Sequence, residues 1–127
     1  MHKILIVDDD SDILLELEEL LMGLGFTCVY ATCASAALAH LESHSDIELL
    51  ISDLRLPDRS GLRLLQVLRE REDVYADLPI IITSGHADMD DVITLFRTGA
   101  VDFLPKPIHY EHLVAILQKL FPERELS

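Results

Sequence analysis

Several things are scarce in this chain of 127 residues. No run of about 18 apolar residues exists, so no segment is built to cross a bilayer as a helix. No basic stretch leads into an apolar one, so nothing reads as a secretory signal, and a cytoplasmic location is expected. Glycine and proline number only 5 each, while half the residues are hydrophobic. That composition excludes a disordered acidic tail and fits one globular domain with a sizeable core. The two cysteines, Cys28 and Cys33, have no CxxC set, which argues against a disulfide framework or a zinc site and for two half-buried thiols. Basic residues are few: 10 Lys and Arg against 23 Asp and Glu, a net charge of −13. A chain this acidic is not expected to grip nucleic acid or an anionic membrane by itself. It suits a module with a cation site or a basic partner.

What is present is a regular alternation. Lys3 to Val7 is a short β-branched run that stops at acids and reads as a buried strand. Asp10 or Ser11 then caps a helix through about Leu24, with Gly25 as its stop. Ile13, Leu17, Leu20, Leu21 and Leu24 form its inner face, and Leu14, Leu15 and Met22 spill outside that stripe. Thr27–Ala31 is a second strand. A helix over Ser35–Ser43 turns Ala36, Ala37 and Leu41 inward. Leu49–Ser52 is a third strand ending at Asp53, and Leu62 to about Glu72 is helical. Leu78-Pro79 introduces a strand over Ile80–Thr83. Asp88–Thr98 is helical and closes at Gly99; Val101–Leu104 is a fifth strand, and His109 to about Phe121 is the last helix. Strands apolar on both faces, alternating with helices, imply a doubly wound α/β sandwich around a parallel sheet. Residues 1–121 form this domain, and 122–127 read as a frayed tail or the start of a linker.

In such sheets ligands bind beyond the carboxyl ends of the strands. There the sequence places Asp8, Asp9 and Asp10 after the first strand, Asp53 after the third, Thr83 and Ser84 at the fourth, and Lys106 after the fifth. Carboxylates so gathered repel one another unless a cation sits among them. A hard ion such as Mg²⁺ answers that need. A carboxylate can also attack phosphorus and become an aspartyl-phosphate, with metal and lysine neutralising the phosphoryl oxygens. These residues make a phosphoryl-acceptor site.

Four segments then carry a resemblance: Ile6-Val7-Asp8-Asp9-Asp10; Ser52-Asp53-Leu54-Arg55-Leu56-Pro57 with Gly61; Pro79-Ile80-Ile81-Ile82-Thr83-Ser84-Gly85; and Gly99-Ala100-Val101-Asp102-Phe103-Leu104-Pro105-Lys106-Pro107. In order and at strand ends, they resemble the response-regulator receiver domain of two-component signalling, from Ile4 to about Leu120. The resemblance implies a flavodoxin-like (βα)5 fold with strand order 2-1-3-4-5. It implies that Asp53 accepts a phosphoryl group from a histidine kinase or phosphotransfer protein. Asp8, Asp9, Asp53 and the backbone carbonyl of Arg55 would hold Mg²⁺. Ser84, five residues after Pro79, would be the switch hydroxyl rather than Thr83, Lys106 would contact the phosphoryl oxygens before a cis peptide to Pro107, and Phe103 would be the switch aromatic. Arg55 and His86 would flank the path of the hydrolytic water and set the phosphoryl lifetime. The first helix would dock the phosphodonor.

One departure bears on self-association. His109-Tyr110-Glu111-His112-Leu113 lacks the arginine of the Arg-Glu-Leu segment that opens the last helix in receivers with winged-helix outputs. A phosphorylation-dependent homodimer through the last helices stays open, but not in that mode.

Rival readings have specific weaknesses. A Mg²⁺ phosphohydrolase needs an acid two residues after its nucleophile, where Arg55 stands; it would still be a group-transfer enzyme, whereas a receiver only assists its own phosphorylation and dephosphorylation. A flavin or nucleotide carrier needs a Gly- or Ser/Thr-rich loop where this chain has three acids. A non-phosphorylated pseudo-receiver would lack site residues that are all present. His40 and His44, and His109 and His112, have metal-compatible spacing without a third ligand. Asp88, Asp90 and Asp91 lack the glycine and glutamate of a calcium loop.

Overall fold

The computed structural model describes residues 3–86 and 89–126. Strands and helices alternate from end to end: β1 (Lys3–Val7), α1 (Ser11–Gly23), β2 (Thr27–Ala31), α2 (Ala34–Ser43), β3 (Ile47–Asp53), α3 (Gly61–Arg69), β4 (Ile80–Ser84), α4 (Met89–Thr98), β5 (Asp102–Pro105) and α5 (Tyr110–Leu120). The five strands are parallel and lie in the order β2-β1-β3-β4-β5. This is the doubly wound α/β sheet the alternation called for. Asp88, the expected first residue of the fourth helix and part of the calcium-loop comparison, lies outside the described residues.

The period-2 geometry of a strand sends successive side chains to opposite faces. Leu5, Val7, Leu50, Ile80 and Ile82 accordingly join one core with α2, α3 and Leu95 of α4. Ile4, Ile6, Leu49, Ile51, Ile81 and Leu104 join a second with α1 and α5. The inner strands β1, β3 and β4 thus carry apolar residues on both faces, which is why their runs are continuous rather than alternating.

Helix ends follow local chemistry. Asp10 caps α1 by accepting from the Asp12 N–H, and Ser60 caps α3 by accepting from the Arg63 N–H. After α1, the Phe26 N–H donates to the Leu21 carbonyl (3.0 Å) and the Gly25 N–H to the Met22 carbonyl (3.0 Å). This Schellman closure puts Gly25 at φ +93°, where a side chain would be strained.

Four details of the elements differ from expectation. Leu14 is buried in the core, because a helix facing a sheet buries a wider stripe than the strict periodic positions. Ala34, one residue before the expected helix start, is fully buried in place of Ala36, which is only partly so. The third helix stops at Arg69, not Glu72: the Arg69 guanidinium donates to the carbonyls of Ala76 (3.1 Å), Leu78 (2.8 Å) and Gly99 (2.7 Å), drawing the following loop across the helix end. The third strand starts earlier, at Ile47, whose N–H donates to the hydroxyl of buried Tyr75 (3.4 Å).

Residues 122–126 dock on the domain rather than fray. Leu126 is 5% exposed and its N–H donates to Gln118 Oε1 (3.2 Å). Gln118 Nε2 donates back to the Arg124 carbonyl. The Arg124 guanidinium lies 4.4 Å over the Phe26 ring and donates to the Gly25 carbonyl (3.1 Å). Sequence periodicity cannot register this docking, because the partners of the Arg124 guanidinium, Gly25 and Phe26, lie about a hundred residues upstream.

Candidate functional site

All five strands end at one rim, and three of them deliver the site's charges there. Val7 pairs with both Ala31 and Ser52, so Asp8 follows β1 beside the end of β3. Asp53, the last residue of β3, pairs with Thr83. Ser84 ends β4 opposite Pro105, and its carbonyl accepts from the Lys106 N–H (2.9 Å).

The carboxylates of Asp8, Asp9 and Asp53 converge, with one oxygen of each lying within 4.8 Å of the others. Asp8 is 1% exposed and Asp53 8%, while Asp9 faces solvent. Lys106 Nζ sits 2.8 Å from Asp8 Oδ2 and 3.3 Å from Asp53 Oδ2. Three ionised carboxylates beside one ammonium leave two negative charges unbalanced. Asp8 Oδ1 accepts from the Asp10 N–H (2.9 Å), but buried Oδ2 receives no aligned hydrogen bond. Its contact with Lys106 is therefore an ion pair rather than a directed bond.

The electrostatics record this crowding. Burial raises the Asp53 carboxyl above its ordinary value, and the neighbouring Asp8 charge adds to the rise, outweighing Lys106 and the Arg55 N–H. Burial alone would lower the Lys106 ammonium, yet Asp8 and Asp53 together lift it above its usual value. The site is an all-oxygen, acid-rich pocket with an under-satisfied buried oxygen and a charge deficit of two. It fits a hard divalent cation such as Mg²⁺.

The remaining expected site residues are placed as follows. Ser84 is buried, and its Oγ accepts from the His86 N–H (3.1 Å). Phe103 lies half-buried on the edge strand β5, packed against the α2–α4 core. The Lys106–Pro107 peptide is cis. Arg55 and His86 are both exposed and flank the rim from the β3 and β4 ends. Gly61 is required by close approach: a Cβ there would lie 2.4 Å from the Asp53 carbonyl oxygen.

Neither histidine pair belongs to a described cluster of three or more metal-ligating side chains. The His40 and His44 rings are 5.7 Å apart, and among the described residues the three aspartates are the one cluster of metal-ligating side chains. Cys28 and Cys33 are free and half-buried; burial, with the Glu18 charge adding to it, pushes the Cys28 thiol up to about 11.

One residue escaped the sequence reading. Asp58, five positions after Asp53, accepts from the Ala34 N–H (2.8 Å, Oδ1) and the Ser35 N–H (2.9 Å, Oδ2) at the start of α2. An acid in a loop gives no local signal of a partner 24 residues away.

Comparison with known proteins agrees with this geometry. The family model of the response regulator receiver domain matches residues 4–118. The chain is 38% identical over 114 residues to the DNA-binding transcriptional regulator NtrC of Salmonella typhimurium, a stretch covering 90% of this chain and 24% of that protein. It is 35% identical over 118 residues to the two-component response regulator PprB of Pseudomonas aeruginosa, covering 93% of this chain and 43% of that one. It therefore spans a quarter to under half of these relatives. A response regulator receiver protein from Pseudomonas putida superposes with a TM-score of 0.86 at 34% identity, covering 92% of this chain and 95% of the other. A response regulator from Chloroflexus aurantiacus gives 0.87 at 30% identity, covering 95% and 98%.

Proposed function

The chain belongs to the response regulator receiver domain family, and from that premise we propose that Asp53 is its phosphoacceptor and that Asp8, Asp9, Asp53 and the Arg55 carbonyl hold Mg²⁺. The observation that carries this reading is the buried ion-pair cluster of Asp8, Asp53 and Lys106 with its unbalanced charge.

Phosphotransfer would proceed by attack of an Asp53 carboxylate oxygen on the phosphorus of a phosphohistidine. A P–O bond forms, the P–N bond breaks, and the imidazole leaves with the electron pair and takes up a proton. Mg²⁺, when bound, neutralises phosphoryl oxygens during transfer. Lys106, already 3.3 Å from Asp53, moves its partnership to the new phosphoryl group. Ser84 turns its hydroxyl hydrogen toward the same oxygens, and Phe103 follows by burial. The phosphoryl group adds about −1.5 to −2 charge. Driving a two-state switch from 1:99 to 99:1 needs about 5.5 kcal/mol. Charge-assisted bonds at about 1.5–3 kcal/mol each cover that with Lys106, Ser84 and backbone amides.

The phosphodonor is a histidine kinase or phosphotransfer protein, and exposed Leu15 and Met22 on α1 give it an apolar landing site. Arg55 and His86 tune how long the phosphoryl group lasts. The domain assists its own phosphorylation and dephosphorylation without turning over a separate substrate, and it works in the cytoplasm. Residues 122–127 are a C-terminal tail or the start of a linker, and this acidic domain makes no direct contact with nucleic acid.

Acetyl phosphate with Mg²⁺ should add one phosphoryl mass to the intact chain, and Asp53→Asn should add none. Labelling that survives the substitution, or an unlabelled parent, would refute the assignment.

A further inference from the structure

The loop from Asp53 to Gly61 closes on itself at its base. The Gly61 N–H donates to the Leu54 carbonyl (2.7 Å), and Arg55 bridges Ser60 in antiparallel fashion. Leu56 packs against the α2–α4 core, but Pro57, Asp58 and Arg59 beyond it are all exposed. The tip is held instead by Asp58, whose two carboxylate oxygens take the Ala34 and Ser35 N–H groups at 2.8 and 2.9 Å. Those are orphan donors of the first turn of α2, where the helix dipole also favours a negative charge. Two charge-assisted bonds in bidentate geometry fix both the distance and the orientation of the loop against α2. The Arg55 carbonyl belongs to the bridged base of this loop, three residues before the Asp58 tether.

We infer that Asp58 is a positioning residue of the cation site: by pinning the β3–α3 loop to the N-terminus of α2, it holds the Arg55 carbonyl beside the carboxylates of Asp8, Asp9 and Asp53. The inference rests on the Mg²⁺ reading above. It also makes α2 a structural support of the rim, although α2 contributes no side chain to the cluster. An outer residue that orients a metal ligand commonly accounts for about tenfold or more in metal affinity.

The test is a Mg²⁺ titration of the full chain followed by amide NMR shifts at Leu54 and Gly61, with thermal melts confirming folding. Asp58→Ala should weaken Mg²⁺ binding about tenfold. Asp58→Asn, which keeps one oxygen acceptor, should fall between that and the parent. The acetyl phosphate labelling rate at saturating Mg²⁺ should stay near the parent's in both, since no reacting group is touched. A merely structural role would lower the melting temperature without moving the Mg²⁺ dissociation constant. Parent-like affinity in Asp58→Ala would overturn the tether. Should the parent itself fail to bind Mg²⁺, the functional reading falls and takes this inference with it; if only the Asp58 variants behave like the parent, the inference alone falls.

Discussion

At the carboxyl end of the sheet, Asp8 and Asp53 lie buried beside a single ammonium, and one buried oxygen lacks a directed bond. At the opposite end, Phe26 meets Phe121 with ring centroids 5.3 Å apart, Leu126 is buried with them, and Arg124 lies over Phe26. Both ends carry charge near apolar walls, but they handle it differently. The base offers the Arg124 cation a ring face and a carbonyl, with only its Nη1 buried without a hydrogen bond, so that end closes. The rim gathers like charges that cannot satisfy one another, so it stays ready for a cation and then a phosphoryl group. The contrast teaches that the rim is sustained by stability generated elsewhere, which is the usual bargain at a functional site.

Substitutions at the two ends should therefore have opposite signatures. The largest effect belongs to the apolar base. Leu21→Ala, at a fully buried position of the α1–α5 core, should cost about 2–5 kcal/mol. Urea unfolding should show it, while Mg²⁺ affinity holds.

Next comes the rim. Mg²⁺ at about a hundred times its dissociation constant should stabilise the parent by about 2.7 kcal/mol. Chelation should remove that gain. Asp53 ionises in the folded chain at a higher pH than it would unfolded, so once ionised it subtracts stability. Asp53→Asn should consequently melt higher than the parent in metal-free buffer and gain much less from Mg²⁺. A lower metal-free melting temperature would break the comparison, because it would make the carboxylate a stabilising group.

Arg124→Ala should cost less, about 0.5–1 kcal/mol from the lost ring contact. Its denaturation midpoint should fall with labelling by acetyl phosphate unchanged.

The smallest effect is that of pH on Asp58. The two α2 N–H groups hold its carboxyl down to about 2, against roughly 3.9 when unfolded. A depressed folded value means the contribution is complete above the unfolded value and fades as pH falls toward the folded one. The stability difference between the parent and Asp58→Asn should therefore shrink on acidification from about pH 5 to 2.

Most of the fold was legible in the chain. Continuous β-branched runs ending in acids marked the strands, and Asp10, Gly25 and Gly99 marked helix ends, because these signals are local. Asp8, Asp9, Asp53, Ser84 and Lys106 were legible for the same reason: each stands at a strand end, and a parallel sheet brings such ends together. The docking of Leu126 and Arg124, the Arg69 clamp on three carbonyls and the Asp58 tether were not legible. In most of these contacts a charged side chain meets backbone atoms or a ring outside its own element, and backbone partners leave no trace in residue identity.

The amino-acid order alone thus determined which residues alternate between strand and helix and which acids and lysine share one edge, since periodicity and strand polarity follow from covalent geometry. Only the tertiary structure decided how those charges are balanced, with Lys106 shared between Asp8 and Asp53, Oδ2 of Asp8 left without a directed bond and Asp58 spent on a helix end. Burial and distance set electrostatic energies, and both exist only once the chain has packed.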